Sequence, residues 1–484
     1  MGKMKNQAIT SHPLFFDPLN KKVEFRSGER KMSSLVYVKE REGVIVHDNG
    51  DVEFCYYAPG AKRVQVAGFT GSMPREKIDL VPEGNGYFSK KVSRIPPGFH
   101  YHDWFVDGNK VRNQLGAFCY GCFEPINFFE IPEGEDDFYL MRDVPHGEVR
   151  IELYPSGVNG HMKSCYVYTP PRYNSDKAKT YPVLYLLHGA GEDETGWIWN
   201  GKVNFIMDNL LAQGKCREML VVMCNGYAFR EGEDPVFYPG DFDRELIQDC
   251  IPFIEKSFRV KKGKGSRAIA GLSLGSAQAT LTVSKHMELF SALGAFSETA
   301  IDELDRILSD DREKLSCIFL TAGKGEDRFI PTMEEYSRRF EEKNIPCIHL
   351  TFPGYHEWHV WRKSFHAFVQ HIFTWPEDRE ESNGKPQAGE TETNRRNEIS
   401  LSPELLTKQT YEMHPLAFDP VYKRVAHAVD ERGRPAGRYR DVRRGVVVLD
   451  QGRVQFNIVA PEATSVEVRV LGMDRLKLHK ANDP

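Results

Sequence analysis

The sequence predicts an α/β fold with a mostly parallel sheet, preceded by a small β-sandwich and followed by a partial repeat of that sandwich. From about residue 146 to residue 376, short buried apolar runs alternate with amphipathic helical segments. This alternation is typical of a parallel sheet with helices on both faces. Residues 33–132 instead show short runs of alternating apolar and polar residues, and the end of the chain repeats part of that region.

The region before the parallel sheet is predicted to be all β. Residues 1–32 form an extension, and residues 33–132 form the sandwich. Its strands are expected at 52–57, 63–66, 86–92 and 100–106, with turns rich in glycine and proline between them. Because few helical periods interrupt these strands, we predict a small immunoglobulin-like β-sandwich.

Residues 133–376 are predicted to hold the parallel sheet and its helices. Strands are expected at 182–187, 219–223, 268–270, 292–296, 317–322 and 347–352. Helices are expected at 204–213, 244–258, 278–287 and 333–343. Consecutive parallel strands need crossover connections of this kind, so the order of the elements supports the fold class.

A polar linker, residues 377–402, leads into a second copy of the N-terminal region at 403–484. His12-Pro13-Leu14 recurs as His414-Pro415-Leu416, an offset of 402 residues (414 − 12). Ala58-Pro59 recurs as Ala460-Pro461 at the same offset. An ungapped match of this length indicates an internal duplication. The copy stops at the counterpart of Pro82, so we expect either an incomplete last domain or a fragment of a longer protein.

Composition favours a globular protein that binds neither nucleic acid nor a membrane. The chain has 484 residues, 27% of them charged, and a formal net charge of −5, which gives no basic surface for anionic partners. It has no apolar run long enough to span a bilayer, and its first residues lack the apolar stretch of a secretory signal. We therefore expect a cytoplasmic location. The nine scattered cysteines are expected to be reduced thiols.

The strongest local motif is Gly271-Leu272-Ser273-Leu274-Gly275. It lies between a predicted strand and a predicted helix, the context of the nucleophile elbow of α/β-hydrolase folds. Glycines are needed on both sides because side chains there would crowd a sharp turn. Ser273 is the candidate nucleophile.

A serine hydroxyl needs a base to take its proton, and the base needs an acid to orient it. His356 follows the strand expected at 347–352 and is preferred over His359, which is expected to lie in the last helix. Asp327 follows the strand at 317–322 and is the candidate acid. Its neighbour Glu326 remains open as an alternative.

Two backbone amides are predicted to bind the oxyanion that forms when an ester carbonyl is attacked. They belong to Leu274, next to the serine, and to Ala190, in the loop His188-Gly189-Ala190-Gly191. His188 is expected to be structural. Trp197, Trp199 and Trp358 flank this site, either to stack on an aromatic acyl group or a sugar, or to pack in the core. No metal or cofactor is expected.

Taken together, these motifs resemble the putative esterase family, which includes feruloyl esterases, other carbohydrate esterases and enterochelin esterases. The resemblance rests on Leu187-His188-Gly189, the motif around Ser273, Gly325-Glu326-Asp327, and Gly354-Tyr355-His356-Glu357-Trp358. It implies a triad of Ser273, Asp327 and His356, and oxyanion donors at Ala190 and Leu274. The N-terminal sandwich resembles early-set, family-48 carbohydrate-binding modules.

The resemblance implies a carboxylic ester hydrolase whose substrates are acylated oligosaccharides carrying feruloyl or acetyl groups. A siderophore trilactone esterase is the alternative within the family, and it would need a basic cleft. The basic residues noted near the motifs are Lys324, Arg328 and Arg362, too few to favour that alternative. A third hypothesis, from a different class, is a glycan-binding scaffold with an inert hydrolase domain.

Overall fold

In the computed structural model, the described residues are 43–373, apart from 48, 69–72, 132, 135–136, 231–240, 299 and 311–314. The backbone of four short strands between 446 and 478 is also described. The chain divides into two compact units, whose boundary lies between Glu135 and Asp136. We refer to the strands before this boundary as the β unit and to the structure after it, up to residue 373, as the α/β unit.

Ten short strands make up the β unit. They are β1 (Val44–Val46), β2 (Val52–Tyr57), β3 (Val64–Gly68), β4 (Ile78–Asp79), β5 (Val81–Pro82), β6 (Tyr87–Val92), β7 (Gly98–Val106), β8 (Asn109–Val111), β9 (Phe118–Gly121) and β10 (Glu124–Ile131). One sheet has the order β1-β2-β6-β5, and the other has the order β4-β3-β7-β10-β9 with β8 paired to β7. All pairs with a described register are antiparallel.

The two sheets of the β unit share one hydrophobic core. Phe54, on β2, packs edge to face against Phe129 on β10 of the other sheet, with ring centroids 5.5 Å apart. It also contacts Trp104 on β7, at 6.1 Å. Phe54 and Trp104 are fully buried, and alternation along each strand sends one set of side chains into this core. The predicted β-rich region is thus present, while its immunoglobulin-like type and its likeness to a carbohydrate-binding module stay predictions.

The α/β unit is built on an eight-stranded sheet. Its strands are β11 (Glu148–Ser156), β12 (His161–Thr169), β13 (Val183–Leu187), β14 (Leu220–Cys224), β15 (Arg267–Leu272), β16 (Ala292–Phe296), β17 (Cys317–Gly323) and β18 (Cys347–Phe352). Their order is β11-β12-β14-β13-β15-β16-β17-β18. The first two strands pair antiparallel with their neighbours, and the other six form a parallel sheet.

Eight α-helices are described in the α/β unit. They are α1 (Gly196–Trp199), α2 (Val203–Ala212), α3 (Phe242–Glu245), α4 (Ile251–Ser257), α5 (Leu274–Lys285), α6 (Ile301–Ser309), α7 (Ile330–Glu342) and α8 (Trp358–Phe368). A π-helical turn, Leu246–Cys250, joins α3 to α4, and a short 3₁₀ turn, Lys264–Ser266, precedes β15. None of the helices in the described part of the chain is long and apolar enough to cross a lipid bilayer.

The central strands are buried on both faces, which explains their continuous apolar sequence. Every residue of β13, β14, β15, β16 and β17 is buried. Because β13 and β15 to β18 are parallel neighbours, their carboxyl ends meet at one edge of the sheet. In α/β folds that edge is where ligands bind. The loops that follow β13, β15, β17 and β18 carry the predicted site residues, so the topology alone brings them together.

Most predicted elements of the parallel sheet lie within a few residues of the observed ones. The expected strands at 292–296 and 347–352 are β16 and β18. The expected helix at 244–258 is instead α3, the π turn and α4 in succession. The antiparallel strands β11 and β12 and the helix α6 were not predicted. Residues on the exposed face of β11, such as Ile151 and Leu153, are apolar, so this strand lacks the clean alternation of an edge strand.

The predicted second copy lies mostly outside the described residues, as do the predicted N-terminal extension and the linker. Two hairpins are described in the copy. In one, β19 (Val446–Val448) pairs antiparallel with β20 (Val454–Phe456), and Val446 faces Phe456. In the β unit, Val44 faces Phe54, which is the same register shifted by 402 residues (446 − 44). The other hairpin, β21 (Val466–Val468) with β22 (Leu476–Leu478), does not follow that offset.

Candidate active site

Ser273 lies in the sharp turn between β15 and α5. Its backbone is strained, with φ 51° and ψ −118°, a conformation that non-glycine residues rarely adopt. The Ser273 amide donates to the carbonyl of Phe296 on β16, at 2.9 Å, and this bond holds the turn against the sheet. Two residues on, the chain needs a glycine, Gly275, because a Cβ there would lie only 2.5 Å from the carbonyl oxygen of His188. The predicted strand–turn–helix context is confirmed.

The loop after β13 lies beside this turn. A Cβ placed on Gly189 would lie 2.6 Å from Leu272 Cδ1 and 3.5 Å from Ser273 Cβ. Glycine therefore lets the backbone of this loop, residues 188–191, approach the serine closely. Leu274 is the first residue of α5, so its amide has no acceptor within the helix. Within the described part of the chain, the Ala190 amide also has no acceptor. Both amides remain the predicted oxyanion donors.

Hydrogen bonds with the segment after β14 fix the conformation of this loop. His188 Nε2 accepts a hydrogen bond from the Gly226 amide at 2.9 Å, so the proton of the neutral ring is on Nδ1, which donates to the Gly189 carbonyl at 2.9 Å. The Gly191 amide donates to the Tyr227 hydroxyl at 2.7 Å. Burial raises the pKa of Tyr227 well above its usual value, so this hydroxyl stays neutral. The structural role expected for His188 is confirmed.

His356 lies in the loop between β18 and α8, and its partner is Glu326. The distance between His356 Nδ1 and Glu326 Oε1 is 2.6 Å, with Glu326 buried and the histidine ring partly exposed. His359 is buried within α8, as predicted. The prediction of Asp327 as the acid is corrected: its side chain is exposed, and Glu326 occupies the place next to His356.

A tight turn after β17 explains why the glutamate and not the aspartate faces inward. The Glu326 amide donates to the Gly323 carbonyl at 2.9 Å, and the Gly323 amide donates back to Glu326 Oε2 at 2.6 Å. This reciprocal pair folds the Glu326 side chain under the loop. The next residue, Asp327, then points to the solvent. Sequence spacing does not distinguish the two carboxylates. The turn, together with the contacts from Ser297 and His356, directs Glu326 inward.

The second oxygen of Glu326 has a further donor. The Ser297 hydroxyl donates to Glu326 Oε2 at 2.7 Å, and Trp361 Nε1 donates to the Ser297 hydroxyl oxygen at 2.9 Å. The Trp361 indole also packs perpendicular to the His356 ring, with centroids 5.0 Å apart. These two residues were not predicted. Ser297 follows β16 directly, a position that could have signalled it.

The expectation that Trp197, Trp199 and Trp358 contact a substrate is corrected. Their side chains are 0%, 7% and 1% exposed, respectively. Trp197 donates to the Leu187 carbonyl and Trp358 donates to Glu192 Oε1, each at 2.8 Å. Packing in the core, the alternative reading of these residues, is what the structure shows.

The exposed aromatic residue next to the candidate base is Tyr355. Its side chain is 51% exposed, and its ring covers Gly325, where a Cβ would lie 2.3 Å from a ring carbon. Glu298, in the segment after β16, is a partly buried carboxylate of the same neighbourhood. Burial raises its pKa, and the charges of His356 and Arg328 partly oppose that rise.

Ser273 and His356 make no hydrogen bond to each other among the described residues. Such bonds are often long in unliganded enzymes and shorten when substrate binds. In the described part of the chain, no cluster of three or more histidine, cysteine or acidic residues has the geometry of a metal site. What the site offers is a strained serine, a histidine with a buried carboxylate on Nδ1, and amides beside the serine. These are the parts needed for acyl transfer.

Residues 156–372 match the model of the family described as Putative esterase. This segment is therefore similar to the domains that this family model describes. The match covers the sheet from the end of β11, together with Ser273, Glu326 and His356.

Curated relatives match part of the chain at moderate identity. One, named endo-1,4-beta-xylanase/feruloyl esterase, from Xylanibacter ruminicola, is 37% identical over 265 residues. That alignment covers 53% of this chain and 36% of the relative. An esterase of Mycobacterium tuberculosis is 30% identical over 199 residues, which are 40% of this chain and 42% of that protein. The chain therefore spans about two fifths or less of the length of these relatives.

A solved structure, the enterobactin esterase FES from Shigella flexneri, has a similar fold. It matches with a TM-score of 0.52 and 12% identity, over 66% of this chain and 92% of that one. At this identity the match concerns the fold alone. It supports an α/β-hydrolase-like fold.

Proposed function

We propose that this protein is a serine carboxylic ester hydrolase that acts on acylated carbohydrates, with Ser273, His356 and Glu326 as its catalytic triad. The observation that carries the proposal is the 2.6 Å contact between His356 Nδ1 and buried Glu326. It lies at the edge of the sheet where the strained turn presents Ser273. The esterase-family match of residues 156–372 supports the same reaction class.

The mechanism has two steps, and His356 serves both. In the first, His356 Nε2 takes the proton of the Ser273 hydroxyl while Ser273 Oγ attacks the ester carbonyl. The resulting imidazolium gives its proton to the leaving alcohol, and an acyl-enzyme forms. In the second step, a water molecule loses a proton to His356 and attacks the acyl carbonyl. The acid leaves, and Ser273 regains its proton.

Glu326 keeps the histidine in the tautomer that this scheme needs. An ionised carboxylate only accepts hydrogen bonds, so the proton of neutral His356 sits on Nδ1 and Nε2 is free to act as base. When His356 becomes charged, the carboxylate at 2.6 Å stabilises it. The amides of Ala190 and Leu274 would bind the oxyanion of each tetrahedral intermediate.

The substrate class is the less direct part of the proposal. It rests on the relative named endo-1,4-beta-xylanase/feruloyl esterase and on Tyr355, an exposed aromatic ring next to His356. Aromatic rings stack on the apolar faces of sugars and on aromatic acyl groups. We therefore expect feruloyl or acetyl esters of oligosaccharides. The cytoplasmic location remains a prediction.

A siderophore trilactone esterase is the second candidate, because the enterobactin esterase match extends over 66% of this chain. An iron-loaded catecholate is highly anionic and would need a basic cleft. Of the three basic residues near the motifs, Arg362 is fully buried and donates to the Asn200 carbonyl. Only Lys324 and Arg328 remain exposed, which favours the carbohydrate ester.

The test is hydrolysis of methyl ferulate, an acetylated xylo-oligosaccharide and a catecholate trilactone by the wild type and by Ser273→Ala. Turnover of either of the first two, lost in the variant, is the expected result. Turnover of the trilactone alone would show that the site hydrolyses siderophore esters and not carbohydrate esters. If none is cleaved while an oligosaccharide still binds, the chain is a glycan-binding scaffold and the proposal is wrong.

A further inference from the structure

We infer that Ser297 and Trp361 are positioning residues that lock the Glu326 carboxylate, and through it His356, in one orientation and one protonation pattern. The inference rests on the proposed function. It concerns two residues that approach the triad from separate elements, the end of β16 and helix α8. Neither side chain is placed to contact the substrate, because both are buried.

The direction of every hydrogen bond in this network is determined. An indole N–H can only donate, so Trp361 Nε1, 2.9 Å from Ser297 Oγ, occupies a lone pair of that hydroxyl. The single Ser297 proton is then directed to Glu326 Oε2, 2.7 Å away. The Gly323 amide donates to the same oxygen at 2.6 Å. With two donors on Oε2, Oε1 is left to accept from His356 Nδ1.

The backbone of Ser297 shows that its position is imposed by the fold. Its φ is 58°, a left-handed conformation that costs energy for a residue with a side chain. The Ser297 amide donates to the Thr321 carbonyl on β17 at 2.7 Å. The serine is fully buried. Strain of this kind persists only where the surroundings hold it, and here its effect is to aim the hydroxyl at Glu326.

Trp361 contributes a second constraint, separate from its hydrogen bond. Its ring stands at 90° to the His356 ring with centroids 5.0 Å apart. This packing limits rotation of the imidazole about its side-chain bonds. The indole thus contacts the base directly and reaches the acid through Ser297, so one side chain orients both partners.

The decisive experiment compares Ser297→Ala with Ser291→Ala. Both serines are buried at opposite ends of β16, and the Ser291 hydroxyl donates to the Arg267 carbonyl far from the triad.

Removing a donor from Glu326 makes the Glu326–His356 pair bind a proton more tightly. In Ser297→Ala we expect the acidic limb of the pH profile of kcat/KM to move to higher pH by about one unit. The free energy of a hydrogen bond to a charged group corresponds to a shift of about that size. We also expect kcat to fall about tenfold with KM unchanged. Ser291→Ala should leave the limb in place.

A further variant separates the hydrogen bond from the packing. Trp361→Phe keeps a ring against His356 but removes the donor to Ser297, and should give a smaller shift in the same direction. The other charged groups near the pair, Glu298, Arg328, Glu357 and Lys363, are unchanged in all variants.

A readout without turnover keeps this test independent of the proposed function. The NMR titration midpoint of the His356 ring can be followed in a protein that cleaves no ester. An upward shift in Ser297→Ala, absent in Ser291→Ala, supports the inference even if the substrate class is wrong. An unchanged midpoint and an unchanged acidic limb in a folded Ser297→Ala variant would overturn it.

Discussion

Two loops at the same edge of the sheet form the core of this site, and the sequence encodes them in different ways. The turn after β15 is marked by Gly271, Ser273 and Gly275, which lie within five positions of one another. The loop after β17 presents Glu326 through contacts with Gly323, with Ser297 after β16, and with His356 after β18. The first loop can be recognised from a short motif, and the second can be recognised only from contacts between residues distant in sequence.

The difference has a physical cause. A nucleophile elbow requires glycines because a Cβ at Gly275 would lie 2.5 Å from a neighbouring carbonyl, and that requirement is visible in the sequence. The acid requires only a carboxylate at the right place. Glu326 and Asp327 both meet that requirement in sequence, but consecutive residues in a turn point in different directions. Motifs built on backbone sterics are therefore easier to recognise than sites built on tertiary contacts.

The largest effect is expected from replacing Ser273, the candidate nucleophile. Ser273→Ala should lower kcat by about 10⁶, because no covalent intermediate can form. A fluorophosphonate probe should label the wild type and leave the variant unlabelled, as detected by mass spectrometry. Labelling at another serine would show that the turn after β15 is not the nucleophile loop.

The next largest effect is expected from replacing Glu326, the candidate acid. Glu326→Gln should lower kcat by about 10⁴, since an amide on Nδ1 stabilises the wrong tautomer of His356. The side chain keeps its size, so circular dichroism and thermal unfolding check that the fold is intact. Activity within tenfold of the wild type would contradict the role of Glu326.

A smaller effect is expected from the residues that hold the loop after β13. Tyr227→Phe removes the acceptor of the Gly191 amide and should lower kcat about tenfold with little change in KM. The loss is smaller than the 10²–10³ expected for removing an oxyanion donor outright, because the Ala190 amide is displaced and not deleted. The pre-steady-state rate of acylation measures it. A change confined to KM would place Tyr227 in substrate binding.

The smallest effect sharpens the comparison between the two carboxylates. Asp327→Asn removes an exposed charge next to Glu326 and should change kcat/KM by no more than about twofold, as surface charges away from the reacting atoms usually do. Measured beside Glu326→Gln, it separates adjacent residues with the same chemistry. A large loss in Asp327→Asn with a small one in Glu326→Gln would restore the assignment made from the sequence.

Much of the parallel sheet was predictable, because buried parallel strands have uninterrupted apolar sequences and the helices between them have their own period. Ser273 and His356 were selected for a related reason, since each follows a strand whose carboxyl end lies at the edge of the sheet where the candidate site is. The antiparallel strands β11 and β12 and the π turn at Leu246–Cys250 were missed. Their formation depends on pairing and packing with distant residues, which periodicity within a short window does not report.

The tryptophans show the opposite error. Trp197 and Trp358 lie close to the site in sequence and in space, and both are fully buried with their N–H groups bonded. A large aromatic residue near a catalytic motif is as suited to supporting the loops as to binding a ligand. Tyr355, which is exposed, was present in the same motif and carried no distinguishing signal in the sequence.

The hydrogen bonds that hold the loop after β13 should affect the rates at which nearby backbone amides exchange with deuterium. Gly191 and Gly226 donate to the side chains of Tyr227 and His188, both inside the protein, so their amide protons should persist for long times. The amide of Ala190 has no such acceptor among the described residues and should exchange rapidly. Binding of a boronic acid, which mimics the tetrahedral intermediate, should slow Ala190 selectively. A loop already rigid on both sides of one open amide needs no rearrangement to receive the oxyanion.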